Sequence, residues 1–351
     1  MADPHPPRLA LPFAVRHNLH VPTVEKRLLG WARGHGLVRG DAAAERFGAA
    51  RFTRFAGYIH PDASADDLYL YARFLAWEFL ADDRYAQDGL RSARAWERVI
   101  AHLEPVYRTG TAGRDASPVA CSLADILGRV YSHADAQWRE RFTNASMATL
   151  YSVVPGNSRR ENSTCPGVDE FIRRRRIASG HAPCQLIDEF MTGGRLPPTV
   201  RDGALLAEIR TAETDVVSWT NDYYSCRKEE GAGGLDNFVL VLERAEKLDR
   251  AQAQDAVARR IQDRVADFLL ARRELLGRVD ESVSVGATDR VVRACVETMH
   301  NWMAGTDAWS RESRRYRLLD AGAAVRVPNY VEELLDLREP PGGGPFGDAG
   351  W

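Results

Sequence analysis

The chain has 351 residues, of which 44% are hydrophobic and 27% charged, with a formal net charge of −2. That length supports a substantial core and that composition is ordinary for a soluble globular protein, which excludes a disordered chain. A near-balanced charge gives no general attraction for nucleic acid, and no run approaches the ~20 apolar residues that cross a bilayer, so no membrane partner is expected.

The opening Met-Ala-Asp-Pro-His-Pro-Pro-Arg lacks the basic-then-apolar layout of a signal peptide, and residues 1–10 are expected to be a flexible N-terminus. Helical apolar spacing then predicts helices over 24–38, 42–56, 64–88, 91–106, 118–138, 140–152, 168–192, 199–229, 238–279 and 285–309, with almost no strand signal. Glycine and proline punctuate the breaks, as at Gly110 to Gly113, Pro155-Gly156, Pro166-Gly167, Gly193-Gly194 and Gly231 to Gly234. Ser64 is placed to cap the third of these helices, and Asp66-Asp67 in its first turn reads as helix-dipole partners rather than a metal pair. No linker divides the helical region. The expectation is one all-α, single-domain bundle of about ten helices over 11–337, with the Gly- and Pro-rich 338–351 as a flexible tail.

The five cysteines, Cys121, Cys165, Cys184, Cys226 and Cys295, are odd in number, scattered and free of any C-x-x-C pair. They suit neither a disulfide framework nor a zinc site, so a reducing, cytoplasmic location is expected. His17, His20, His133, His181 and His300 show no ligand spacing and read as structural or surface residues.

Two clusters carry chemistry. Asn221, Ser225 and Glu229 stand at spacings of four and four. At about 100° per residue, such steps put an amide oxygen, a hydroxyl and a carboxylate on one helix face. An all-oxygen set suits a hard cation, Mg²⁺ above all, which shares its octahedron with waters and substrate phosphates. Upstream, Trp77-Glu-Phe-Leu-Ala-Asp82-Asp83 ends an apolar helical run with adjacent carboxylates, and Asp88 follows. Adjacent like charges there are costly unless a cation neutralises them.

With these motifs the chain resembles the class I terpene synthases, specifically the bacterial terpene cyclases. Asp82-Asp83 looks like their Asp-rich motif, and Asn221, Asp222, Ser225 and Glu229 match every specified position of their N-D-x-x-S-x-x-x-E motif. Tyr58-Ile-His-Pro-Asp-Ala63 resembles the segment before the Asp-rich helix, and Trp302-Met-Ala-Gly305 through Trp309 to Arg315-Tyr316 resembles the C-terminal Arg-Tyr signature. The spacing D-D-x-x-x-x-D, with Asp88 as third acid, departs from the usual pattern and looks like that of 2-methylisoborneol-type cyclases. Among Arg173 to Arg176, Arg175 lies 46 positions before Asn221, as the family's diphosphate sensor does, whereas Arg176 sets Ser179 and Gly180 at the family's sensor-linker-effector spacing. Arg175 is preferred and Arg176 stays open.

The resemblance implies a class I terpenoid synthase fold with its cavity inside the bundle, Mg²⁺ as cofactor (about three ions), and a prenyl diphosphate as substrate. Asp82, Asn221, Ser225 and Glu229 are the expected metal ligands; Asp83, Asp88 and Asp222 are second carboxylates that either ligate or orient. Arg175, Arg176, Lys228, Arg315 and Tyr316 are the expected diphosphate donors. Phe55, Phe74, Trp77, Phe79, Trp219, Trp302 and Trp309, with Ser179 and Gly180, are the candidates for walls that shield a carbocation. Most of these aromatics are expected to be core, and Trp302 and Trp309 are the preferred substrate contacts. Farnesyl diphosphate is the first choice of substrate; geranyl, 2-methylgeranyl and geranylgeranyl diphosphate remain alternatives. A chain-elongating prenyltransferase and a catalytically inactive helical binding protein are the rival readings, and a homodimer is left open.

Overall fold

A computed structural model describes residues 6–85, 93–161, 166–231, 235–280 and 286–316. Asp88, the side chain of Asp83 and the expected tail 338–351 lie outside the described residues. The described chain is helical throughout: α1 (Val21–Gly34), α2 (Gly40–Ala50), α3 (Phe52–Ile59), α4 (Ala65–Tyr85), α5 (Ala93–Thr109), α6 (Pro118–Tyr131), α7 (Ala136–Glu161), α8 (Val168–Ala178), α9 (His181–Met191), α10 (Pro198–Arg201), α11 (Ala204–Gly231), α12 (Phe238–Ala245), α13 (Arg250–Asp280), α14 (Ala287–Glu312) and a closing 3₁₀ turn, Arg314–Tyr316.

The all-α expectation holds, but about ten helices become fourteen segments among the described residues, and the additional breaks have physical causes. The helix predicted over 42–56 divides at Arg51, whose φ is 55°. There the carbonyl of Ala50 accepts from Trp309 Nε1 at 2.7 Å and Ser313 Oγ at 3.3 Å, so distant residues take over an acceptor that a continuous helix would have used. The helix predicted over 168–192 divides at Ser179 and Gly180, the latter left-handed at φ 69°. The helix predicted over 238–279 divides before a capping box in which the Asp249 and Gln252 side chains accept from each other's backbone N–H at 2.9 and 3.0 Å. In the other direction, α7 runs on to Glu161 through Pro155, past a predicted break.

Ser64 caps α4 as expected, accepting from the Asp67 N–H at 3.2 Å, while Asp66 pairs with Arg27 at 2.9 Å. Neither acid lies near the cavity described below.

Helix α11 is the axis of the bundle, with an almost unbroken buried run from Ala212 to Cys226 and with α13, α14, α12, α8 and α9 packed against it. A helix buried all round must pair its charges. Glu213 meets His181 at 3.0 Å, Asp215 meets Arg176 at 2.7 Å and Arg264 at 3.0 Å, and Asp222 meets Arg175 at 2.6 Å. These contacts fasten α8, α9 and α13 to α11 and so set the geometry of the space between α8 and α11.

Gly305 lets α14 lie close against α3: a Cβ there would stand 2.9 Å from Tyr58 Cβ. Gly305→Ala is therefore expected to destabilise the fold by about 1–3 kcal/mol through overpacking. Urea unfolding measures this, and an unchanged midpoint would show that α3 can yield.

Candidate functional site

A cavity of about 360 Å³ opens among α3 to α9, α11 and α14. Helix α4 supplies one wall. Its periodicity brings Leu75, Glu78, Phe79 and Asp82 to the inner face, with Asp82 exposed at the mouth. Helix α11 supplies the facing wall with Val217, Ser218, Asn221, Lys228 and Glu229. The two oxygen-bearing motifs, 139 positions apart from Asp82 to Asn221, thus border one space.

The floor is aromatic. Phe55 stacks on Trp309 with ring centres 4.6 Å apart and 6° between planes, Phe79 leans on Trp309 at 4.9 Å, and Trp302 meets Phe55 edge-on at 5.3 Å. Every indole that lines the cavity has its N–H satisfied by a protein acceptor: Trp77 by Val119 O, Trp96 by Leu150 O, Trp302 by Asp188 Oδ2 and Trp309 by Ala50 O. These bonds fix the rings in place, so that the aromatic surface they present to the cavity can stabilise a positive charge.

The mouth is held by cations. Arg175 donates to Asp222 Oδ1 at 2.6 Å and reaches Asn221 Oδ1 at 3.3 Å. Burial alone would lower its pKa, but the Asp222 charge and hydrogen bond outweigh that and raise it, so the guanidinium stays charged. Asp222 is itself pushed up to about 6 by burial, against the pull of Arg175. Its oxygens are occupied by Arg175 and by the Phe238 N–H at 3.2 Å, so it orients the guanidinium rather than facing the cavity. Arg315 donates to Asp82 Oδ2 at 3.0 Å and lies 4.8 Å over the Phe79 ring. Tyr316 OH accepts from Asn221 Nδ2 at 2.7 Å. The closing Arg-Tyr turn therefore touches both walls at once.

On α11, Ser225 Oγ donates to Glu229 Oε1 at 2.5 Å, and Asn237 Nδ2 donates to Glu229 Oε2 at 3.1 Å. Among the described residues no three His, Cys, Asp or Glu side chains converge as a ready cage. The donors that do converge are mixed: amide, hydroxyl and carboxylate oxygens on one helix face. Oxygen donors of this kind suit a hard divalent cation completed by water and phosphate oxygens. Arg174 supplies the matching anion test: it lines the cavity 3.0 Å from Asp236, and its buried Nε and Nη1 have no hydrogen-bond partner. The residues present fit a metal–diphosphate group.

Of the expected site residues, Asp82, Asn221, Glu229, Arg175, Lys228, Arg315, Phe55, Trp77, Phe79, Ser179, Gly180, Trp302 and Trp309 line the cavity. Ser225 lies just behind Glu229, and Tyr316 reaches the site through Asn221. Four are not brought there, the first being Asp222, whose oxygens are taken up by Arg175 and the Phe238 N–H. Arg176 turns away to Asp215, Phe74 packs on Phe142, and Trp219 packs on Phe238. The reason is helical rotation, since adjacent residues point about 100° apart. His181, expected to be structural or surface, is buried at the cavity edge, held by Glu213 and edge-on to Trp302 at 4.7 Å. Sequence reasoning left Arg174 unresolved within the run Arg173 to Arg176 and missed Asn237 and Glu78. Only Glu78 carried a signal, because it precedes Asp82 by four and so shares its helix face.

Comparison with known proteins agrees with this geometry. The model of the family described as terpene synthase family 2, C-terminal metal binding, matches residues 73–267. The chain is 30% identical over 314 residues to pristinol synthase of Streptomyces pristinaespiralis, covering 88% of this chain and 84% of that protein. It is 28% identical to the (−)-beta-caryophyllene synthase ((2E,6E)-farnesyl diphosphate cyclizing) of Saccharothrix espanaensis, covering 95% of each. Among solved structures, a variant of cucumene synthase superposes with a TM-score of 0.77 at 28% identity, over 88% of this chain and 99% of that one.

Proposed function

Because the chain belongs to terpene synthase family 2 and is a terpene synthase, a carbon–oxygen lyase, we propose that it ionises farnesyl diphosphate and cyclises the resulting cation to a sesquiterpene, releasing diphosphate. The observation that carries this reading is the juxtaposition at one cavity mouth of Asp82, the Asn221-Ser225-Glu229 face and the guanidiniums of Arg174, Arg175 and Arg315, above a floor of fixed aromatic rings. The caryophyllene synthase relative, named for cyclising farnesyl diphosphate, supports the fifteen-carbon substrate.

Asp82 on one wall and Asn221, Ser225 and Glu229 on the other would hold Mg²⁺, about three ions, with the diphosphate between them. Bound there, the metal supplies Lewis-acid stabilisation of the leaving group's charge. The chain's own residues do the rest. Arg174, Arg175, Lys228 and Arg315 would donate to diphosphate oxygens, Arg315 and Arg175 exchanging the Asp82 and Asn221 oxygens they now bond for those of the diphosphate, while Tyr316 stays on the Asn221 nitrogen. Phe55, Phe79, Trp302 and Trp309 exclude water and face the cation with their rings. Asp83 and Asp88 are proposed to support Asp82, residues 11–337 to be the catalytic domain, and the enzyme to be cytoplasmic. Among the described residues no helix is long and apolar enough to cross a membrane.

The test is gas chromatography with mass detection after incubation with Mg²⁺ and, separately, geranyl, 2-methylgeranyl, farnesyl and geranylgeranyl diphosphate. Cyclic fifteen-carbon products from farnesyl diphosphate are expected, without any requirement for isopentenyl diphosphate. Turnover that depends on isopentenyl diphosphate would make the chain an elongating prenyltransferase, and cyclisation confined to another substrate would overturn the farnesyl assignment.

A further inference from the structure

Below the metal-binding mouth the cavity contains one carboxyl that none of the roles above uses. Glu78 lies one turn before Asp82 on the same face of α4, about 6 Å further along the helix axis. Its neighbours are walls of the chamber: a Cβ placed on Gly180 would stand 3.9 Å from Glu78 Oε2, and its charge acts on the buried Tyr107 and Cys184. No hydrogen bond or ion pair joins its carboxyl to any described residue. A carboxyl among apolar walls with no partner among the described residues is costly, whereas the buried acids of α11, Glu213, Asp215 and Asp222, each have a basic partner.

We propose that Glu78 touches the cyclised carbocation and takes the proton whose loss ends the reaction, thereby selecting the product isomer. This rests on the terpene cyclisation proposed above. In that step a C–H bond next to the cationic carbon breaks and its electron pair fills the empty orbital as a C=C π bond. The proton bonds to a Glu78 oxygen and passes to water when the product leaves. Two alternatives at this depth are poor acceptors, because burial raises the Tyr107 phenol and the Cys184 thiol well above their ordinary values and so keeps both protonated. Burial, with the Asp82 charge, pushes the Glu78 carboxyl up to about 8, so the empty cavity favours its protonated form over the ionised form that accepts a proton. A cation beside it favours that ionised form by the same electrostatics.

The test compares the unsubstituted enzyme with Glu78→Gln, Glu78→Met and Glu78→Asp on farnesyl diphosphate with Mg²⁺, reading diphosphate release and product composition separately. Gln preserves the shape and Met suits an apolar wall, so both variants should fold; neither can accept the proton. Both are expected to release diphosphate within about tenfold of the unsubstituted rate, while the share of the normal main product drops about tenfold or more in favour of other isomers or alcohols. Glu78→Asp, which keeps a carboxylate, should recover part of that product. An unchanged product composition in Gln and Met would overturn the assignment, as would identical altered compositions in all three. Loss of diphosphate release with intact helicity would also overturn it, by making Glu78 part of ionisation. Absence of release from the unsubstituted enzyme on any prenyl diphosphate would instead bring down the cyclase reading and this one together.

Discussion

Asn221→Ala is expected to lower Mg²⁺-dependent diphosphate release by about 10²-fold or more while leaving the helical circular dichroism unchanged. The amide sits where three elements meet. Its oxygen accepts from Arg175, its nitrogen donates to Tyr316 OH, and it shares the α11 face with Ser225 and Glu229. Alanine removes a metal-ligating oxygen and the junction that holds the Arg-Tyr turn against α11. It should not unfold the helix, because alanine is a strong helix former and the buried run from Ala212 to Cys226 remains anchored by its own ion pairs. Asn221→Asp keeps an oxygen in place and should retain more activity than alanine. An unimpaired rate in Asn221→Ala would remove Asn221 from the metal site.

Arg175→Met should fail in two separable ways. Asp222 is fully buried, and deleting its partner leaves an uncompensated charge, a loss of about 3–5 kcal/mol that corresponds to a melting temperature roughly 10 °C lower. The same change removes a diphosphate donor from the mouth. The double variant Arg175→Met with Asp222→Asn distinguishes the two effects. Neutralising the carboxylate should restore most of the stability, leaving an enzyme that folds but turns over at least about tenfold more slowly than the unsubstituted one. Calorimetry with a diphosphate-release assay measures both. If the double variant recovered full turnover, Arg175 would matter only as the counter-ion of Asp222.

The four arginines from Arg173 to Arg176 show where a sequence stops being informative. Counting positions leaves Arg175 and Arg176 both open and does not single out Arg174 at all. In the folded chain each of the last three finds a different acid: Arg174 finds Asp236, Arg175 finds Asp222 and Arg176 finds Asp215. Those acids lie on α11 and in the segment after it, 39 to 62 positions away. Their placement depends on how α8 is rotated against α11, which local spacing does not encode. Trp219 is a similar case. It is aromatic and beside the metal motif in sequence, yet it turns to Phe238 because two helical positions separate it by about 200° from the Asn221 face.

The sequence by itself determined the all-α class, the caps such as Ser64, and the faces shared by residues three or four apart, because helical periodicity and capping are local properties of the chain. It thereby set Asn221 beside Ser225 and Glu229, and Glu78 beneath Asp82. Only the tertiary structure decided that Asp82 and Asn221 border the same cavity, that the long helical stretches break at Arg51 and Gly180, and that Trp302 and Trp309 form its floor while Phe74 and Trp219 do not. The physical reason is that these outcomes are fixed by contacts between residues far apart in the chain. Two examples are the Trp309 indole on the Ala50 carbonyl and the Arg315 guanidinium on Asp82. Such contacts exist only once the helices have packed.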